Sequence, residues 1–325
     1  MKCIYTLALI LVSSLLVSAQ NNATKRYAKI HQDKKYIITE TIFDDGHKEQ
    51  YITSVPLSET RKMKVKGELP RLKNIDWDER MDVAGNQKSA NGPLAIEKAF
   101  NNALTQTEKQ LGLAEGSFGR IEIDVDFFNK GEQEQSLTIV NKVIASLSTV
   151  ERFSSLLPLE SVDKKISDNS KKIASSLLAN GKSTNQTAAE MLGFRNVEFS
   201  EHFKNDAVFL TNSETEIGMP HIQAIYSWIF ADAHTGWYNR GLLINSHKNN
   251  SSKGLNDDYM QEGKEGIIGV GIAQGAFIES VILDPTFEKA TSVVFQMVDP
   301  LKNSKYKFEI QELSTNYETD VAARK

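Results

Sequence analysis

Two periods of apolar spacing run along the chain, and the places where one gives way to the other predict its elements. From Tyr36 to Phe43 apolar and polar residues alternate, and many are β-branched. Asp44-Asp45-Gly46 is a turn signal, and Tyr51-Ile52-Thr53-Ser54-Val55 returns as a second strand. The basic stretch at 61–66 reads as an edge strand or linker with solvated lysines, because a charge run carries no site geometry. Residues 86–93 are polar and punctuated by Gly and Pro, which marks a boundary. Beyond it the spacing lengthens. Pro93 suits a first helical turn, and Ala95, Ala99, Phe100, Ala103, Leu104 and Leu111 share one helix face up to Gly112. Further helices are predicted over 134–147, from Ser161-Val162-Asp163 to Asn180-Gly181, and over about 220–233. Strands follow at 267–273, 277–283 and 291–298. Helices first and strands later point to an α+β unit packed around a sheet.

The first residues change the picture of where the protein acts. One positive charge at Lys2, an apolar run over 4–17 and the small residues Val17-Ser18-Ala19 have the layout of a secretory signal peptide. The run is too short for a membrane span of about 20 residues. No cysteine follows it, which argues against a lipid-anchored lipoprotein. The expected division is a leader at 1–19, a β-rich region and linker at 20–92, a main domain at 93–300, and a C-terminal strand or tail at 301–325. Cys3 is the single cysteine of the 325 residues and lies in the leader, so the mature chain has no disulfides and no cysteine-rich metal site. Lys and Arg number 38 against 42 Asp and Glu, a net charge of −4 that argues against nucleic acid or an anionic membrane as partner. Secretion to an extracellular or periplasmic space is the expectation, with no transmembrane segment once the leader is removed.

Common catalytic signatures are missing. The sequence holds no Gly-x-Ser-x-Gly elbow, no phosphate loop before Lys-Ser/Thr and no His-Glu-x-x-His, and none of its six histidines are four residues apart. A set of longer stretches in order is more informative: Ala95-Ile96-Glu97-Lys98-Ala99-Phe100, Gln110-Leu111-Gly112-Leu113, Pro158-Leu159-Glu160-Ser161-Val162 and Leu177-Leu178-Ala179-Asn180. Tyr226-Ser227-Trp228-Ile229-Phe230-Ala231-Asp232-Ala233, Gly236-Trp237-Tyr238-Asn239-Arg240, Gly266-Ile267-Ile268-Gly269-Val270-Gly271 and Val293-Val294-Phe295-Gln296-Met297-Val298-Asp299-Pro300 complete it. In this order they resemble the bacterial secreted CAP domain, also called the SCP-like extracellular domain, over about 93–300. The resemblance implies an α–β–α sandwich with a central antiparallel sheet, here preceded by the small β-rich region. It also implies a cleft that in many members carries two histidines and acidic residues able to hold a divalent metal.

At the matching positions this chain departs from the family. The first histidine position falls near Asn185, the acidic motif becomes Asp206-Ala207-Val208-Phe209, and Gly-His-Arg becomes Tyr238-Asn239-Arg240. Asparagine supplies hydrogen bonds but neither an imidazole ligand nor a proton shuttle near neutral pH. The expected cleft residues are therefore Asn185, Asp206, His234, Trp237, Asn239 and Arg240, with no cofactor and a divalent metal disfavoured. Arg240 is expected to pair with Asp232 or Asp206, and Tyr226, Trp228 and Phe230 to fill the core. This points to a non-catalytic binder of an extracellular small molecule, lipid or protein. Two rivals stand beside it: a metal-assisted or carboxylate-based hydrolase using Asp206, His234 and Glu214 or Glu216, and an envelope module that docks through residues 20–92.

Overall fold

The alternating start of the chain builds three strands of nine residues, β1 (Ala23–His31), β2 (Lys34–Ile42) and β3 (Lys48–Pro56), paired antiparallel in sequence. Gly46, with φ of +85°, turns the chain between the second and third. The computed structural model describes residues 23–31, 34–43, 45–56, 72–77, 91–154, 156–180, 199–212, 218–244, 265–276, 287, 289–300 and 308–312. The leader expected at 1–19, the basic stretch at 61–66 and the strand expected at 277–283 lie outside the described residues.

Four more strands follow: β4 (Leu159–Val162), β5 (Phe199–Thr211), β6 (Glu265–Gly275) and β7 (Lys289–Pro300). Together they form one seven-stranded sheet in the order β1-β2-β3-β5-β7-β6-β4. The N-terminal strands thus extend the same sheet as the later ones, through β3 against β5. The sheet is mixed and not purely antiparallel, because β4 runs parallel to β6 at one edge. Among the described residues five α-helices accompany it: α1 (Asn91–Leu111), α2 (Glu132–Leu147), α3 (Lys164–Asn180), α4 (Pro220–Phe230) and α5 (Tyr238–Leu243). None among the described residues is long and apolar enough to cross a membrane.

The two-residue period of β5 and β7 divides the core. Ala207, Phe209, Val293, Phe295 and Met297 join α1, α2 and α4 in one large buried cluster. Val208 and Leu210 pack instead with Leu177 and Leu178 of α3, and Val294 packs with Ile173 and Ala174. Tyr226, Trp228 and Phe230 are all at most 4% exposed and belong to the first cluster, as expected of large aromatic side chains.

Two boundaries differ from expectation. The third helix begins at Lys164 because Leu159–Val162 is fully buried as an edge strand. Asp163 then caps it: its Oδ1 accepts from Ile166 N at 2.9 Å. The fourth helix stops at Phe230, short of 233, and a 3₁₀ turn at Ala233–Thr235 follows.

Helix α3 rests directly on β6. A Cβ on Gly269 would lie 2.4 Å from the Ile166 carbonyl carbon, and one on Gly271 would lie 2.0 Å from Lys171 N. Ser170 Oγ, in the same seam, sits 2.9 Å from Gln296 Oε1. Because the opposing atoms are helix backbone, Gly271→Ala should destabilise the protein by about 1–3 kcal/mol or more. Gly275→Ala, whose Cβ would meet only Leu178 Cδ1 at 3.8 Å, should cost far less. Urea unfolding of the two variants checks this; equal losses would show that the glycines do not set the helix–sheet distance.

Candidate functional site

After α4 the chain turns tightly around Asp232. The backbone oxygen of Asp232 accepts from Thr235 N at 3.1 Å and Trp237 N at 3.0 Å. Gly236 and Trp237 both take left-handed backbone, at φ of +74° and +67°. For a residue with a Cβ this costs roughly 1–3 kcal/mol. The burial of the Trp237 ring offsets it, with the Arg240 guanidinium 3.8 Å from the ring centroid. The Asp232 carboxylate accepts from Asn239 Nδ2 at 3.0 Å and Arg240 N at 3.1 Å, capping the first turn of α5. Burial pushes this carboxyl up to about 7 even though hydrogen bonds from Thr235, Arg240 and Asn239 oppose the shift. Burial also lowers the Arg240 guanidinium to about 10, against the pull of Asp232.

Asn239 is tied further into the sheet. Its side-chain amide donates to Thr53 Oγ1 at 3.2 Å, and its backbone carbonyl accepts from Asn205 Nδ2 at 3.0 Å. At 1% exposure it is a structural link and offers nothing to a ligand. Trp237 and Arg240, each 3% exposed, are equally enclosed.

Asp206 does not join them. On the period of β5 its carboxylate falls on the α3 side, where it accepts from Ser54 Oγ at 3.2 Å and lies 3.7 Å from Lys204 Nζ. Burial lowers the Lys204 ammonium, with Asp206 opposing. Only the backbone oxygen of Asp206 reaches the α4 side, accepting from Thr53 Oγ1 at 3.2 Å. The neighbour that faces α5 is Asn205. His234 is exposed on the α4 side, its Nδ1 2.8 Å from Asn74 Nδ2. Partial burial lowers its pKa, and the charges of Arg26 and Lys35 lower it further. Asp206 and His234 are therefore not brought together as an acid–base pair. Asn185, Glu214 and Glu216 lie outside the described residues. Among the described residues no three His, Cys, Asp or Glu side chains converge as a metal site.

A cleft opens elsewhere, between the N-terminal strands and α4. Pairing register lays two polar rows across the strands, Thr24–Thr41–Glu49 and Arg26–Thr39–Tyr51. Opposite them stand Asp76, Trp77, and Gln223 and Ser227 of α4. The space is about 90 Å³, enough for about three waters. None of the residues expected from the sequence lines it. Arg26 donates through Nη2 to Asp76 Oδ1 and through Nε to Thr39 Oγ1 at 3.2 Å. Trp77 is half-buried and held edge-on to Tyr226, with ring centroids 4.9 Å apart at 86°.

Tyr51 joins this cleft to the Asp232 turn. Its hydroxyl is fully buried, beside the Thr53 and Ser227 side chains. Burial pushes the phenol well above its ordinary value, the Asp232 and Asp206 carboxylates add to the shift, and hydrogen bonding to Thr53 and Ser227 opposes it. A strand face of Arg, Thr and Tyr reads as solvent-facing in the sequence. The one signal available was Tyr51 itself, a large aromatic out of phase with the apolar positions Ile38 and Ile52.

Two buried groups generate opposed pH dependences. Asp232 titrates higher in the folded protein than its ordinary 3.8, so its stabilisation is present at low pH and lost as pH rises through about 7. His221, fully buried with Nε2 2.8 Å from Gln135 Oε1, is lowered by burial from 6.5 to about 3. Its stabilisation is present above 6.5 and lost as pH falls toward 3. Between about 4 and 6.5 the two slopes cancel. Relative to the parent, Asp232→Asn should gain stability as pH rises from 4 to 8, and His221→Gln should gain as pH falls from 6.5 to 4. Urea unfolding across that range tests both; curves parallel to the parent's would refute the assignment.

Comparison with protein-family models, with curated proteins and with solved structures gives no match to this chain.

Proposed function

We propose that this chain is an exported, non-catalytic binding protein that holds a small polar molecule in the cleft between β1–β3 and α4. The observation that carries this is the cleft itself, a space of about 90 Å³ walled by Thr24, Arg26, Thr39, Thr41, Asp76 and Ser227. The leader pattern at 1–19 supports export. A divergent CAP-like domain remains part of the proposal, supported by the order of the sequence stretches and by helices on both faces of the sheet. The position matching the family's second histidine, Asn239, is used here to anchor α5 to β3, which favours binding over metal chemistry.

The hydrolase reading has less support, since Asp206 and His234 occupy opposite sides of the sheet with separate partners. The envelope-module reading gains one element: residues 20–92 supply Arg26, Thr39, Tyr51 and Trp77 to the cleft. In the proposal they bind a small molecule while forming part of the sheet.

Thr41→Val tests the cleft. Removing one lining hydroxyl should weaken any cleft ligand by about tenfold. A thermal-shift screen of amino acids, monosaccharides and small amines, with hits measured by calorimetry in the parent and the variant, reads out the effect. Hits indifferent to Thr41→Val would refute the cleft.

A further inference from the structure

We infer that β1 is a docking edge, to which an extended acidic segment of a partner protein adds as a further strand. This surface is separate from the cleft and does not depend on ligand binding there. The sheet ends in two unlike strands, β4 and β1. β4 has four residues, all of them buried. β1 has nine, pairs with β2 in unbroken register from Ala23 to His31, and contains neither Pro nor Gly. Among the described residues no strand lies on its outer side. Ala23, Thr24, Lys25, Ala28 and Ile30 are exposed, Ile30 at 67%. Such an edge presents backbone donors and acceptors at strand spacing, and natural sheets tend to shorten, bend or cover it. An extended segment laid beside β1 continues the ladder and draws its affinity from main-chain hydrogen bonds.

Charge selects the occupant. β1 carries Lys25, Arg26 and Lys29 and no acidic residue. Over residues 23–42 five Lys and Arg stand against Asp33 and Glu40, in a chain whose net charge is −4. Arg26 is engaged by Asp76 on the α4 side. There His234 has its pKa lowered first by burial and then by the charges of Arg26 and Lys35. Lys25 and Lys29 share the α3 side, opposite Glu40 and Tyr36 of β2, and stand about 13 Å apart along the strand. The Lys25 side chain is 67% exposed, so its 3.5 Å contact with Glu40 is a surface pair of little worth. A second copy of the chain is a poor occupant. Two β1 strands paired antiparallel about Tyr27 set Lys25 against Lys29 twice, and a pairing about Arg26 sets the two arginines together. Like charges directly opposite are destabilising, and opposite charges stabilise. The lysines thus turn away a copy and admit a strand with carboxylates four residues apart on one face.

The test titrates the mature protein with capped, alternating Thr/Val peptides that carry two Glu, or two Lys, four residues apart. Two further Glu peptides are N-methylated at alternate residues, one on each set of N–H groups. Binding is followed by calorimetry and by amide hydrogen exchange, in the parent and in a double variant with Lys25→Thr and Lys29→Thr. The Glu peptide is expected to bind saturably and to slow exchange of the β1 amides. Its affinity should fall about three- to tenfold in the double variant, and fall also at high salt. One methylated peptide should bind like its parent and the other should not, because alternate N–H groups point into the ladder and away from it. Should the double variant fail to fold, the methylated pair alone decides. Equal binding of Glu and Lys peptides overturns the acidic partner, and methylated peptides that behave alike overturn strand addition. Self-association of the protein that protects the same β1 amides gives the edge to a second copy and overturns the inference, as does a Glu peptide that does not bind.

Discussion

The pairing of β3 with β5 is the constraint on which the rest of the molecule depends. Five residue pairs, from Glu49 with Thr211 to Thr53 with Ala207, hold the N-terminal strands in the same sheet as the later ones. This register sends Tyr51 and Thr53 to the α4 side and Ser54 to the α3 side. Thr53 then meets Asn239, and through Asn239 the sheet reaches Asp232 and α5. A slip of one residue would reverse every side chain and take the tyrosine out of the cleft.

The two sides of that sheet are built on different principles. On the α3 side, glycines on β6 let helix and strand backbones touch, and Ser170 and Gln296 supply the polar contacts in the seam. On the α4 side a turn with two successive left-handed residues is held by one buried carboxylate that meets a backbone N–H and a side-chain amide. Such networks are stable when every member is satisfied. Asp232 and Asn239 are satisfied here.

Much of the fold was legible because its elements are long and strongly periodic. The 3.6-residue spacing found α1 and α2, and alternation with a Gly turn found β2 and β3. Leu159–Val162 was hidden because four apolar and polar residues beside a helix start carry no period of their own. The site was less legible. Matching by motif chose Asp206, but a strand alternates every residue, so the side chain facing α5 is that of Asn205. Asn239 was expected in the cleft, yet its partners Asp232 and Thr53 make it a buried structural link. Tyr51 and Trp77 escaped because their role depends on strand pairing across a long stretch of chain, which local spacing does not encode.

That long stretch has a consequence in time. Ser54 and Asp206, adjacent across two paired strands, are separated by 152 positions along the chain. Closing so large a loop costs entropy before any contact rewards it, and folding slows as contact order rises. The first three strands emerge early in synthesis and then wait for their neighbour β5. Until it arrives, the half of the cleft they carry has no opposite wall. The cleft is thus closed only after β5 and α4 have been made.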